Sequence, residues 1–273
     1  MTIASIAAYL ESVAPLNYQE DYDNAGLLTG DPAWPCSDIL CTLDVTEEVV
    51  KEAMARNCNL IIAHHPVIFR GLKKINGDNA VERTVILAIK NDIAIYAAHT
   101  NLDNILHGVN GRIADKLGLI NRKILLPHRE AAHDRVVLAK EREDIGSGIW
   151  GELPVEMKEN DFLSLLKEQF RVPVIRHSPL CSRPIFKVAV CGGAGSFLIP
   201  AALSAGIQAF ITADLKYHEF FAAEGRMLIC DPGHFESEQY TADLLIDILL
   251  QKFPTFAVLK SGVITNPVNY FLG

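Results

Sequence analysis

The sequence has little of what several large function classes require. Its six cysteines, Cys36, Cys41, Cys58, Cys181, Cys191 and Cys230, form no C-x-x-C pair. Several lie inside apolar runs, where a thiol reads as a small buried hydrophobe, and that suggests a reducing compartment. Positive charge is also scarce: 25 Lys and Arg stand against 33 Asp and Glu, a formal net charge of -8. The surface as a whole is therefore no nucleic-acid footprint, which leaves only a local basic groove open. No apolar run reaches about 18 residues, so no membrane span is expected. The first twenty residues have neither a basic start nor a continuous apolar stretch, so no signal peptide is expected and the location is read as cytoplasmic. The run Gly192-Gly193-Ala194-Gly195-Ser196 lacks both the full dinucleotide fingerprint and the Walker lysine. It reads more simply as a tight turn from strand to helix than as a phosphate cradle.

What is present is a chain of 273 residues, 49% hydrophobic and 21% charged. That is enough for one large or two ordinary domains with a sizeable core. Helical spacing is expected over Thr2 to Val13, Glu47 to Arg56 after a capping Thr46, Ala80 to Lys90, Gly108 to Leu117 and Asp161 to Phe170. A long helix is expected to follow Asp231-Pro232-Gly233 and to run to about Leu250. Buried strands are expected at Ile39 to Leu43, Leu60 to Ala63, Ile93 to Ala98, Phe186 to Cys191 and Met227 to Cys230, with a short one at Val172 to Arg176. Ile120 to Gly148 changes character, and only Val136 to Ala139 looks strand-like there. His128 and His133 in that stretch read as solvated.

The candidate chemistry stands at strand ends. Leu60-Ile61-Ile62-Ala63 enters His64-His65-Pro66. Adjacent side chains leaving a strand diverge, so the two imidazoles can serve two ions rather than chelate one. Ile93 to Ala98 enters His99-Thr100-Asn101-Leu102-Asp103. Asp103 can add a hard oxygen ligand, and His99 is either a ligand or a group that orients one. The bland reading of Asn101 and Asp103 is as turn formers, and the same holds for Tyr22-Asp23-Asn24-Ala25-Gly26. His234 and Glu238 are spaced i, i+4 on one helical face, while Glu236 points about 200° away and reads as solvated. Asp214 is expected to cap a helix that carries His218 one turn on.

The chain also resembles itself. Glu52 to His65 aligns without gaps to Ala201 to Asp214, so His65 falls opposite Asp214. His99 with Asp103 corresponds to His234 with Glu238. This predicts an α/β fold of two related lobes with a metal site between them: a first lobe over 1–125, a linker over 126–148 and a second lobe over 149–273.

The runs Tyr22-Asp23-Asn24-Ala25-Gly26, Leu43-Asp44-Val45-Thr46, His64-His65-Pro66, His99-Thr100-Asn101-Leu102-Asp103, Asp214-Leu215-Lys216-Tyr217-His218 and Gly233-His234-Phe235-Glu236-Ser237-Glu238 resemble the Nif-three-like dinuclear metal-centre family, often named GTP cyclohydrolase I type 2. The resemblance covers nearly the whole chain in the right order. It implies the Nif-three-like fold, with His64, His65, Asp103, His234 and Glu238 as metal ligands and Glu238 able to bridge two ions. It further implies a toroidal homohexamer whose sites face an internal cavity. Long members carry an extra domain between the lobes, and here only Pro127 to Asp144 occupies that place. Two divalent ions, zinc, iron or manganese, would activate a water and polarise a substrate oxygen. Asp44, His99, Asp214 and His218 then read, beside Glu238, as orienting or proton-carrying groups. Three functions follow: a metal-dependent hydrolase on a nucleotide such as GTP, a two-metal phosphoesterase, or a metal-loaded scaffold for a protein partner.

Overall fold

Leu60-Ile61-Ile62-Ala63 is buried at every position, as a strand covered on both faces must be. It is β3 (Leu60–Ala63) in a computed structural model that describes residues 1–128 and 144–271. The chain divides into two units, Met1–Leu102 with Thr241–Asn269, and Asp103–Tyr240 with Tyr270–Gly273.

In the first unit the sheet order is β1-β4-β3-β2-β11. β2 (Ile39–Thr42), β3, β4 (Ala94–Ala97) and β11 (Val258–Lys260) run parallel, and β1 (Gly26–Thr29) pairs antiparallel on the edge. Helices cover it because their caps and stripes agree. In α1 (Ile3–Val13), Thr2 and Ser5 form a capping box and Ile3, Ile6 and Leu10 are buried. Thr46 caps α2 (Glu47–Ala55), whose first turn holds Glu47 and Glu48 where the helix dipole favours negative charge. Asn79 caps α3 (Ala80–Lys90), which ends on a lysine. The turn α4 (Thr100–Asp103) carries the chain out of this unit.

The second unit holds α5 (Val109–Lys116), α6 (Glu159–Phe170) and α7 (Ile199–Ser204) around a sheet of order β5-β6-β8-β9-β10-β7. β8 (Ile185–Ala194), β9 (Ala209–Ala213) and β10 (Leu228–Asp231) are parallel. β5 (Ile120–Pro127) and β6 (Gly146–Met157) extend the sheet antiparallel on one side, and β7 (Arg176–His177) closes the other.

Several expectations change. The ends of the expected linker are strand, with Leu126 opposite Ser147 and Pro127 opposite Gly146. His128 lies 3.3 Å from the Ser147 hydroxyl. Val136 to Ala139 and His133 lie outside the described residues. The division of the chain also differs from boundaries at 125 and 148: α9 (Thr241–Lys252) packs on β2 and β11, and β11 hydrogen-bonds to β2, which places them in the first unit. The expected long helix is two, α8 (His234–Glu238) and α9, because Gln239 and Tyr240 turn aside. The Gln239 amide donates to the Phe170 carbonyl at 3.1 Å and the Tyr240 hydroxyl to the Gln169 carbonyl at 2.7 Å, satisfying carbonyls at the end of α6. Glu236 is buried rather than solvated, and it accepts a hydrogen bond from Tyr270. Asp214 caps no α-helix. It sits at φ 56°, and a 3-10 helix follows at Tyr217–Ala223 with Lys216 at its N-cap. The short strand lies at β7, beyond most of Val172 to Arg176.

Candidate metal centre

Every candidate group in the first unit stands just past the C-terminal end of a parallel strand, where open α/β sheets place ligands. His64 is fully buried. Its Nδ1 lies 2.8 Å from the Ala98 carbonyl oxygen, beyond β4. A carbonyl only accepts, so Nδ1 carries the proton and Nε2 keeps its lone pair. His65 turns the other way, its Nδ1 2.7 Å from Asp44 Oδ1 beyond β2. Because β3 lies between β2 and β4, the two anchors pull the neighbouring imidazoles apart, with ring centroids 4.9 Å from each other. The second oxygen of Asp44 accepts from the Thr265 hydroxyl at 2.5 Å.

His99 donates from Nδ1 to Asp23 Oδ1 at 2.6 Å. The other oxygen of Asp23 accepts from the Thr100 amide at 3.0 Å and from the Thr100 hydroxyl. Burial pushes the Asp23 carboxyl up, but the hydrogen bonds from His99 and Thr100 and the charge of His99 outweigh it and hold the group down at about 2. Asp23 is thus a buried carboxylate that orients His99, and not merely a former of the turn. His64, His65 and His99 each offer a ring nitrogen, and these nitrogens lie within 4.8 Å of one another. They could hold a metal ion.

In the second unit the left-handed backbone at Asp214 aims its Oδ2 at His234 Nδ1, 2.7 Å away. His234 Nε2 lies 3.0 Å from Glu238 Oε2, one helical turn on. The Glu238 side chain is only 4% exposed, and one of its oxygens lies within 4.8 Å of an oxygen of Asp103. The glycine turn is shaped around this pair. Gly193 has φ +60°, and a Cβ there would meet Glu238 Oε1 at 2.6 Å and His234 Nε2 at 3.2 Å. Its amide donates to the Ser237 hydroxyl at 3.0 Å. Burial, and then the charges of Asp103 and Glu238, push the Cys191 thiol up, so it stays protonated beside them.

The structure therefore groups His64, His65, His99 and Asp44 within the first unit, and Asp103, Asp214, His234 and Glu238 within the second. His218 is exposed, its ring against Tyr217 and Phe221. Asp23, Thr265 and Gly193 were not among the expected site residues. Asp23 stood in a recognised run and Gly193 in a conspicuous glycine turn, but nothing local marks Thr265. Among the described residues no helix is long and apolar enough to cross a membrane.

Comparison with known proteins gives a consistent result. A GTP cyclohydrolase 1 type 2 homolog of Clostridium perfringens is 35% identical over 245 residues, 87% of each chain. One from Clostridium acetobutylicum is 31% identical over 239 residues, 87% of this chain and 85% of that one. The crystal structure of a Bacillus cereus protein related to NIF3 superposes with a TM-score of 0.88 at 27% identity, over 99% of both chains. That of a hypothetical protein of Staphylococcus aureus gives 0.88 at 28%, again over 99% of both. The model of the Duf34/NIF3 (NGG1p interacting factor 3) family matches residues 1–267, and the chain belongs to that family.

Proposed function

We propose that this chain is a dinuclear metal-dependent hydrolase acting on a nucleotide, with GTP cyclohydrolysis as its reaction. One observation carries the metal reading. Four imidazoles, on His64, His65, His99 and His234, each commit Nδ1 to an acceptor that cannot donate, a carbonyl or a carboxylate. That sets Nε2 as the nitrogen that would face an ion, the usual arrangement of a metal-binding histidine, and His234 Nε2 already points at Glu238. His64, His65, Asp103, His234 and Glu238 are the residues that would hold two divalent ions of zinc, iron or manganese. When bound, such a pair lowers the pKa of a water to neutrality and polarises the oxygen or nitrogen of the substrate.

The remaining roles belong to the chain. Asp44, Asp23 and Asp214 hold His65, His99 and His234 by Nδ1 and so fix the orientation of their rings. His99 Nε2 is the proton carrier, its ring fixed through Nδ1 by Asp23. Glu238 supplies two oxygens and a charge that offsets two dications. The names of the relatives support the nucleotide class. Assembly as a homohexamer rests on the family resemblance, and a cytoplasmic location on cysteines that are free in the structure.

The test is turnover by metal-reconstituted protein, with product identification, on GTP, a phosphodiester and a buffer blank. Glu238→Gln keeps the size and removes the charge, and turnover should fall at least about 10²-fold. Cleavage of the phosphodiester alone would favour a phosphoesterase. No turnover with about two ions retained per chain would favour a scaffold. A hexamer mass by light scattering checks the assembly.

A further inference from the structure

Beside the edge strand β7 the second unit has an open cavity of about 550 Å³. That is within the range of small-molecule sites. Its walls are aromatic: Tyr217, Phe220 and Phe221 line it together with Arg176, His177 and Glu224. Phe220 packs against the core of the unit and so is a fixed wall. Tyr217 and Phe221 are 72% and 64% exposed, yet they brace each other edge-to-face at 5.5 Å. Two large rings held in place and open to water offer π-faces to an occupant.

The polar groups narrow the choice. Arg176 donates to Asp231 at 2.9 Å and to the Leu215 carbonyl at 2.8 Å, while more than half of its side chain stays exposed. Its face lies over the Phe220 ring, 5.1 Å from the centroid. A guanidinium paired with a carboxylate and laid over an aromatic ring adds to a stacking surface. Glu224 is an acceptor-only group, and its exposed ion pair with Arg226 at 3.0 Å is the kind that holds weakly. Flat walls with one anionic acceptor select a planar ring whose edge donates.

We infer that this cavity binds a planar heteroaromatic ring with hydrogen-bond donors on one edge, a purine base of the guanine kind. Tyr217 follows Asp214 by three residues, and Arg176 of the cavity wall is bonded to Asp231, three residues before His234. As the site of the substrate's base the inference rests on the nucleotide reading above.

The experiment titrates the full chain, as purified, with guanosine, which has no phosphate to confuse base binding with metal binding. Saturation-transfer NMR reads the contact, with ribose as the control, and metal content is measured on the same samples. Guanosine should bind and ribose should not. Phe221→Ala and Glu224→Ala, both at exposed positions, should each weaken guanosine about tenfold while leaving metal content and the unfolding midpoint unchanged. Binding that is absent at millimolar guanosine, or equal in wild type and both variants, overturns the inference even where metal is retained. Guanosine binding lost in the variants of a protein that takes up no metal supports the cavity and sinks the metal reading alone.

Discussion

Gly193→Ala separates the metal centre from the backbone that surrounds it. The position has φ +60°, so any side chain pays the cost of the left-handed region, about 1 kcal/mol against glycine. It also places a carbon 2.6 Å from Glu238 Oε1 and 3.2 Å from His234 Nε2. Relief of the closer contact requires the Glu238 carboxylate to move by several tenths of an ångström. Glu238 is buried, and its neighbour Ser237 is tied to the Gly193 amide, so the movement strains the whole of α8. Gly206→Ala is the matched control: its φ is +69° and no atom lies within 4 Å of the new carbon. Gly206→Ala should lose about 1 kcal/mol in urea unfolding of metal-free protein, and Gly193→Ala more, by the added strain at Glu238. Only Gly193→Ala should also lose metal affinity, about 10- to 100-fold in competition with a chromophoric chelator, the scale seen when support of a ligand is removed. Equal metal affinity in the two variants would refute the claim that the glycine turn is cut to the His234–Glu238 pair.

Other outcomes follow from the same geometry. Thr265→Val removes the hydroxyl that holds Asp44 while keeping the shape, so metal affinity should fall about tenfold in the chelator assay, and Thr265→Ser should restore it. Asp23 is held at about 2 against about 3.9 for a free aspartate, so its contribution to stability, about 2.5 kcal/mol, is complete above pH 4 and is lost as the pH falls through 2. Asp23→Asn should lower stability at pH 7 and flatten the loss between pH 4 and 2 in urea titrations at fixed ionic strength. Ile6→Ala opens a hole at a fully buried position of α1 and should cost about 2–5 kcal/mol, read as a lower urea midpoint with an unchanged slope.

The strand cores were legible because each is a short apolar run, and the helices because caps and stripes agree. β3 and α3 match their expected limits residue for residue. What the sequence hid was long-range. Thr265 reaches Asp44 across 221 positions and Asp23 reaches His99 across 76, and no local pattern announces a partner at such a distance. Glu236 was misread for the same reason: its helical phase points away from His234, but Tyr270 covers it. At Asp214 the local rule that aspartate caps helices lost to a tertiary bond, since the carboxylate is committed to His234. The break between α8 and α9 had no Gly or Pro to signal it, because the chain turns where side chains of Gln239 and Tyr240 find carbonyls of α6.

The internal repeat gains physical content from register. Leu60 and Ala209, which correspond in the alignment of Glu52 to His65 with Ala201 to Asp214, both begin a strand flanked on each side by a parallel neighbour. Leu60 lies between Ile39 and Ala94, and Ala209 lies between Val188 and Leu228. The segments after these strands then diverge in chemistry while keeping their place. After β3 the chain delivers imidazole at His65. After β9 the corresponding residue is Asp214, which delivers a carboxylate to orient an imidazole instead. After β4 and β10 both copies deliver a histidine whose Nδ1 is held by an aspartate, Asp23 for His99 and Asp214 for His234. Two copies of one strand-end scaffold have thus been filled differently, one with three clustered imidazoles and the other with a histidine and carboxylates. A neutral imidazole supplies lone pairs without charge, whereas each carboxylate supplies charge to balance a dication.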